Sequence, residues 1–217
     1  MHKNVLNLIE IKKEINLKNL DETSKVKVIA VSKTFSIENI LPLIEYGHLD
    51  FGENKVQEAE KKWPSIKIKY KDLKLHMIGK LQTNKVKQAV KLFDYIHSLD
   101  SVKLAKEISK HQKIINKTPK LFIQINIGNE EQKSGINKNE LVDFYNVCKE
   151  LELDIIGLMC LPPLGGDLDN YFSEMKELNN KLNLKELSMG MSDDYLMALR
   201  HSSTFLRIGT KIFGVRS

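Results

Sequence analysis

The chain has 217 residues, 41% of them hydrophobic, and 34 basic against 28 acidic side chains give a formal charge of +6. That length supports one domain with a full core, and the modest Gly and Pro content excludes a collagen-like or low-complexity chain. The basic excess is lysine scattered beside acids, with only Arg200, Arg207 and Arg216 as arginines, so the chain lacks the Arg- or aromatic-studded basic stripe of a nucleic-acid binder.

Helix and strand patterns alternate along the chain. Asn4 to Leu20 carries Leu8, Ile11 and Ile15 at helical spacing, and Lys27 to Thr34 is a β-branched strand run. Ser36 is placed to cap a helix with Ile37, Ile40, Leu41 and Ile44 on one face and Gly47 at its end. Leu49 to Gly52 reads as a strand, and Glu53 to Trp63 as a helix closed by Pro64. Strand Leu75–Gly79, helix Gln82–Phe93 and strand Tyr95–Leu99 follow, then a helix opened by Ser101 and running to about Asn116. Strand Leu121–Ile127 precedes helix Lys138–Leu151, whose Leu141, Phe144, Tyr145, Cys148 and Leu151 face inward. Ile155 to Leu161 is a strand stopped by Pro162-Pro163, and Leu168 to Leu182 a helix with Tyr171, Met175, Leu178 and Leu182 on one stripe. Glu186–Gly190 and Phe205–Gly209 are the last strands, with Asp193 to His201 helical between them.

Repeated strand–helix units require parallel strands, because each helix returns the chain to the same edge. About eight units at this length predict an α/β fold: a single (β/α)8 TIM barrel over residues 1–217 with an extra N-terminal helix. A doubly wound open sheet is the runner-up, weakened because no Gly-rich dinucleotide fingerprint follows the first strand. Cys148 and Cys160 have neither metal-ligand spacing nor a nearby partner, which predicts buried free thiols and no metal. The N-terminal segment carries Glu10, Lys12, Lys13 and Glu14 where a signal peptide is apolar, and no apolar run is long enough to span a bilayer. The expectation is a cytoplasmic protein with no membrane or nucleic-acid partner.

In such a barrel the active face lies at the C-terminal strand ends, and phosphate sits at the loops after strands seven and eight. Ser188-Met189-Gly190-Met191-Ser192 and Gly209-Thr210 fall there. Ser192 can cap the following helix, Gly209 lets backbone approach an anion, and Thr210 adds a hydroxyl donor. Two ordinary strand exits are the alternative. Strand one ends in Val31-Ser32-Lys33-Thr34; with Ile29, Val31 and Lys33 on one face, a desolvated Lys33 amine would attack an aldehyde. A lysine that snorkels at the strand tip is the plainer reading. Asn54 and His76 can donate into the site, or serve a loop and the core respectively. A phosphate pocket with a lysine amine points to a phosphorylated aldehyde held as a Schiff base. Pyridoxal 5′-phosphate and the sugar phosphate of a lysine aldolase both fit.

Val31-Ser32-Lys33-Thr34, Phe51-Gly52-Glu53-Asn54 with Val56-Gln57-Glu58, His76 to Lys85, Ser188 to Ser192, Arg207 to Thr210 and Phe213-Gly214 together resemble the YggS/PROSC family of pyridoxal-phosphate homeostasis proteins. The resemblance spans nearly the whole chain, with its motifs in order. It implies a barrel like the N-terminal domain of alanine racemase, with pyridoxal 5′-phosphate as cofactor and Lys33 carrying it. It also implies that Ser188 or Ser192, Gly209 and Thr210 hold the phosphate, with Met191 between them, and that Arg207 faces the pyridine nitrogen. Lys55 departs from the family where many members have an aromatic residue or Arg. The implied role is a monomeric carrier or regulator that serves pyridoxal-phosphate-dependent apo-enzymes without catalytic turnover. Alanine racemase adds a second domain with a tyrosine base, and none of Tyr46, Tyr70, Tyr95, Tyr145, Tyr171 and Tyr195 is an evident substitute. A weak amino-acid racemase or a lysine aldolase is the alternative.

Overall fold

The computed structural model describes residues 1–18, 26–130 and 132–215. Eight parallel strands pair each with the next and the last with the first, closing a barrel: β1 (Lys27–Val31), β2 (Asp50–Glu53), β3 (Lys74–Met77), β4 (Tyr95–Leu99), β5 (Lys120–Ile125), β6 (Ile155–Cys160), β7 (Glu186–Ser188) and β8 (Phe205–Ile208). Helix α1 (Lys3–Lys18) precedes β1 and buries Leu8, Ile11 and Ile15. The predicted end of this helix at Asn19 and Leu20 lies outside the described residues.

The strands read as apolar runs because both faces are covered. Their outer faces pack under helices, where Ile40, Phe51, Trp63, Ile108 and Phe172 are buried. Their inner faces hold a second cluster of Ile29, Tyr95, Phe122, Met159 and Phe205. Each such side chain, fully buried, contributes about 1.5–3 kcal/mol from water exclusion.

Several boundaries differ from the sequence reading. Each strand except β2 and β4 stops one to three residues before the predicted end, where the chain leaves the ladder to form the mouth loops, while β2 runs one residue further, to Glu53. Helix α2 (Ile37–Glu45) has Ser36 at its N-cap, but the Ser36 hydroxyl accepts from the Asn39 side chain instead of a first-turn N–H. Pro64 opens a helix instead of only closing one. After α3 (Val56–Lys62), the chain enters α4 (Pro64–Lys69) with proline at its first position, where the missing N–H costs nothing. Two predicted helices begin as 3₁₀ turns, at Thr83–Lys85 before α5 (Val86–Leu92) and at Lys138–Glu140 before α7 (Leu141–Glu150). Ser101 does cap α6 (Val102–Ile115), accepting from the Leu104 N–H at 3.3 Å, and left-handed Asn116 ends it. Asp167 caps α8 (Leu168–Lys181), followed by α9 (Tyr195–Arg200) and a short α10 (Thr210–Phe213).

Candidate functional site

The C-terminal strand ends surround a cavity of about 350 Å³. Lys33, Asn54, Met191, Ser192, Arg207, Gly209 and Thr210 line it, so seven of the expected residues come together. Ser188 and His76 are not among the lining residues.

Lys33 follows β1, and its backbone is held from behind. Glu53, fully buried on the outer side of β2, accepts through Oε1 from Ser32 Oγ (2.8 Å), Lys62 Nζ (3.0 Å) and Trp63 Nε1 (3.0 Å). Lys62 also donates to the Ser32 carbonyl at 2.9 Å and to Glu58 Oε1 at 2.9 Å. Glu58 Oε1 in turn accepts from the Thr34 N–H at 2.6 Å. Thr34 sits at φ +68°, a left-handed conformation that strains a β-branched residue by about 1–3 kcal/mol. The residues flanking Lys33 are therefore fixed by a buried ion pair and a strained turn.

Arg207 comes up from β8, where it lies opposite Ile29, and is 4% exposed. Its Nη1 donates to the Ser188 carbonyl and to Ser188 Oγ, and its Nη2 to the Cys160 carbonyl at 2.8 Å. These bonds use three of five N–H donors. All three acceptors are neutral, and burial lowers the guanidinium's pKa from its ordinary value. Burial also pushes the Cys160 thiol up to about 12, so it stays protonated and inert beside Arg207.

The expectation for His76 is corrected. It is buried deeper in the barrel, stacked on Tyr95 with ring centroids 4.3 Å apart and bonded to His97 and Asp50. The residue that reaches the cavity here is Ile78, the first after β3. Side chains alternate along a strand, and two residues of rise, about 7 Å, place His76 below it. Ser188 is corrected in a similar way: its hydroxyl holds Arg207, and Ser192 is the serine at the cavity.

The loop after β7 turns at Gly190, whose φ is +92° and where an added Cβ would lie 2.7 Å from Ala198 Cβ. Ser192 does not cap α9. Asp194 stands at that position, and its carboxylate accepts from the Met191 N–H, while Ser192 Oγ accepts from the Lys211 N–H at 3.3 Å. Ser192 thus ties the β7 loop to the start of α10. At Gly209 an added Cβ would meet only Val31, at 3.4 Å or more. Packing alone therefore permits alanine there, and the space beside Gly209 is left to the cavity.

Sequence reasoning missed Val31, Phe35, Leu161 and Asp193 in the lining. Leu161 and Asp193 sit in motifs already read, at the end of β6 and next to Ser192, and the strand-end rule could have found both. Phe35 could not be found that way, because its place is set by stacking on Phe213 at 4.7 Å, far along the chain. Lys55 is exposed and does not line this cavity.

Residues 12–217 match the family model described as alanine racemase, N-terminal domain. The chain is 39% identical over 204 residues to the pyridoxal phosphate homeostasis protein of Pasteurella multocida, covering 89% of this chain and 88% of that one. It is 38% identical over 201 residues to that of Synechocystis sp., covering 88% and 92%. Among solved structures, PipY of Synechococcus elongatus with PLP bound superposes with a TM-score of 0.86 at 32% identity, over 97% of this chain and all of that one. By a family model that spans most of its length and by relatives matched nearly end to end, the chain belongs to the alanine racemase N-terminal domain family and, within it, to the pyridoxal phosphate homeostasis proteins.

Proposed function

We propose that the cavity at the barrel mouth binds pyridoxal 5′-phosphate and that the protein acts in its homeostasis, holding the cofactor and releasing it to apo-enzymes. One observation carries this reading: a single cavity of about 350 Å³ is lined at once by Lys33, by Arg207 and by the Ser192 and Gly209-Thr210 loops. The open space beside Gly209 suits a close backbone approach to a phosphate, and the hydroxyls of Ser192 and Thr210 supply further donors. PipY, solved with PLP bound, is a relative of matching fold.

When bound, the cofactor supplies a reactive aldehyde and an electron-accepting ring. The residues of this chain determine how much of that chemistry is used. Lys33, which lines the cavity, would hold the cofactor through its amine. Asn54 lines the same cavity and offers both a donor and an acceptor. Arg207 can only donate, so a ring nitrogen facing it acts as an acceptor and stays unprotonated, which weakens the ring as an electron sink. Among the described residues, none of the six tyrosines lines the cavity. Both features favour a carrier over a racemase. The remaining parts of the proposal are a single domain working as a monomer in the cytoplasm; among the described residues no helix is long and apolar enough to cross a membrane.

Two titrations and one exchange experiment test this. Thr210→Val and Ser192→Ala should weaken binding of pyridoxal 5′-phosphate and leave the weaker binding of unphosphorylated pyridoxal unchanged. Equal losses for both ligands would move the phosphate elsewhere. With L-alanine in deuterated water, the α-proton should exchange far below the usual enzyme range of about 1 per second or more. Exchange within that range would restore the racemase reading.

A further inference from the structure

Arg207 is the buried charge proposed to face the ring nitrogen, and its direct hydrogen-bond partners are neutral oxygens. Its hydrogen bonds do not end there. Ser188 Oγ, which accepts from Arg207, lies 2.8 Å from His97 Nδ1. His97 Nε2 lies 3.0 Å from His76 Nδ1, and His76 Nε2 lies 3.0 Å from Asp50 Oδ1. Asp50 opens β2 at the opposite end of the barrel, with its side chain 20% exposed. Five residues from five different strands thus form one continuous chain through the barrel interior.

The chemistry at the two ends fixes its direction. Arg207 can only donate, and an ionised Asp50 can only accept. His76 must then carry its proton on Nε2 and accept at Nδ1. His97 must do the same, and the Ser188 hydroxyl must donate to His97 while accepting from Arg207. Every bond is satisfied in this one arrangement, with both imidazoles neutral. Their surroundings favour that state: burial lowers the pKa of His76, against the pull of Asp50, and holds that of His97 well below its ordinary value. Stacking locks the rings, His76 on Tyr95 and His97 on Phe122, each at 4.3 Å between centroids.

We propose that Ser188, His97, His76 and Asp50 form a one-way hydrogen-bonded chain that positions Arg207, with Asp50 as the terminal acceptor that sets its direction and His97 as the positioning residue at its centre. The chain holds the guanidinium in the orientation that donates into the cavity, and so makes the site selective for a ring with an unprotonated nitrogen over the same ring without one. This rests on the reading that Arg207 faces the ring nitrogen of pyridoxal 5′-phosphate.

The experiment has a ligand-free arm and a ligand arm. In the ligand-free protein, imidazole nitrogen NMR should show both His76 and His97 as neutral Nε2–H tautomers. Asp50→Asn replaces an obligate acceptor with a side chain that can also donate, so the chain can run either way and both tautomers should become mixed. An unchanged tautomer pair in Asp50→Asn, or an Nδ1–H tautomer in the wild type, would overturn the direction argued here. In the ligand arm, pyridoxal 5′-phosphate is compared with its 1-deaza analogue, which has carbon in place of the ring nitrogen. The wild type should prefer the natural cofactor. His97→Leu should reduce that preference by about tenfold, the scale of one hydrogen bond to a charged group, while leaving affinity for the analogue within about twofold. Equal losses for both ligands would mean that His97 acts only through packing. If His97→Leu fails to fold, the smaller loss of preference expected in Asp50→Asn tests the same claim, and an unaltered preference there would overturn it. No preference in the wild type would instead refute the placement of Arg207, and no binding of either ligand would refute the proposed function itself.

Discussion

Two buried charge clusters lie within a few residues of the cavity, and they differ in how the charge is met. Behind β2, Glu53 and Lys62 form an ion pair at 3.0 Å, closed by Trp63 and Ser32. Inside the barrel, Arg207 is matched only to neutral oxygens at first hand, and it lines the cavity. The first cluster pairs its two charges within the protein, through Glu53 Oε1, and fixes the strand end before Lys33. The second keeps donors for something else. Burial of a charged group is costly in both places; Glu53 meets it with a direct ion pair, whereas Arg207 has neutral hydrogen-bond partners among the described residues and the charge of Asp194 beyond them.

The largest effect should come from breaking the closed cluster. Lys62→Met removes one partner of a buried pair and should destabilise the fold by about 3–5 kcal/mol near neutral pH, read by urea denaturation. Burial raises the Glu53 pKa despite Lys62. Without the lysine the carboxyl should take up a proton readily, so the penalty should shrink as pH falls. A penalty independent of pH would show that packing around Lys62, and not its charge, is what matters.

Acid should next act on a buried group outside both clusters, His48, whose ring packs edge-on against Phe51 and bonds the Asp50 carbonyl. Burial lowers the His48 pKa to about 4, while an unfolded histidine titrates near 6.5. The folded state therefore binds fewer protons over that window. Stability should be full above about pH 6.5 and fall as pH drops towards 4, by about 3 kcal/mol from this residue. Glu53 acts with the opposite sign, since its raised pKa lets the folded state bind the extra proton. His48→Gln should flatten the loss between pH 6.5 and 4; an unchanged slope would assign it to other groups.

The smallest change in stability should accompany a large change in binding. Gly209→Ala adds a methyl that packing tolerates, so stability should change by less than about 1 kcal/mol. Cofactor affinity should nevertheless fall at least about tenfold, as the methyl takes the space assigned to phosphate. Gly190→Ala should do the reverse in thermodynamic terms, costing about 1–3 kcal/mol through its positive φ and the clash with Ala198. Equal stability losses in the two variants would erase the distinction between a glycine required by the fold and one required by the ligand.

Much of this was legible in the sequence because parallel barrel strands are buried on both faces and stand out as apolar runs. The rule that chemistry gathers at strand ends nominated Lys33, Asn54, Gly209 and Thr210, which line the cavity, without knowledge of any contact, whereas Arg207 came from the family resemblance. It failed for His76 because strand ends were read to the nearest motif, and a two-residue offset moves a side chain one layer down. The 3₁₀ starts at Thr83 and Lys138 were not legible, since the tightening depends on how each helix docks. His97 was passed over because its meaning lies in Ser188, 91 positions away, and in His76 on the neighbouring strand. Such pairings are set by closure of the barrel and leave no local trace.

The central claim is that Lys33, held between a strained turn and a buried ion pair, is the amine that takes the cofactor's aldehyde. The direct measurement is borohydride reduction of the protein loaded with pyridoxal 5′-phosphate, followed by digestion and peptide mapping. The pyridoxyl adduct should lie on the peptide containing Lys33, and Lys33→Ala should fold, yet lose both the adduct and the yellow colour. An adduct chiefly on Lys80 or Lys85, which line a neighbouring cavity, or a coloured Lys33→Ala protein, would contradict the account.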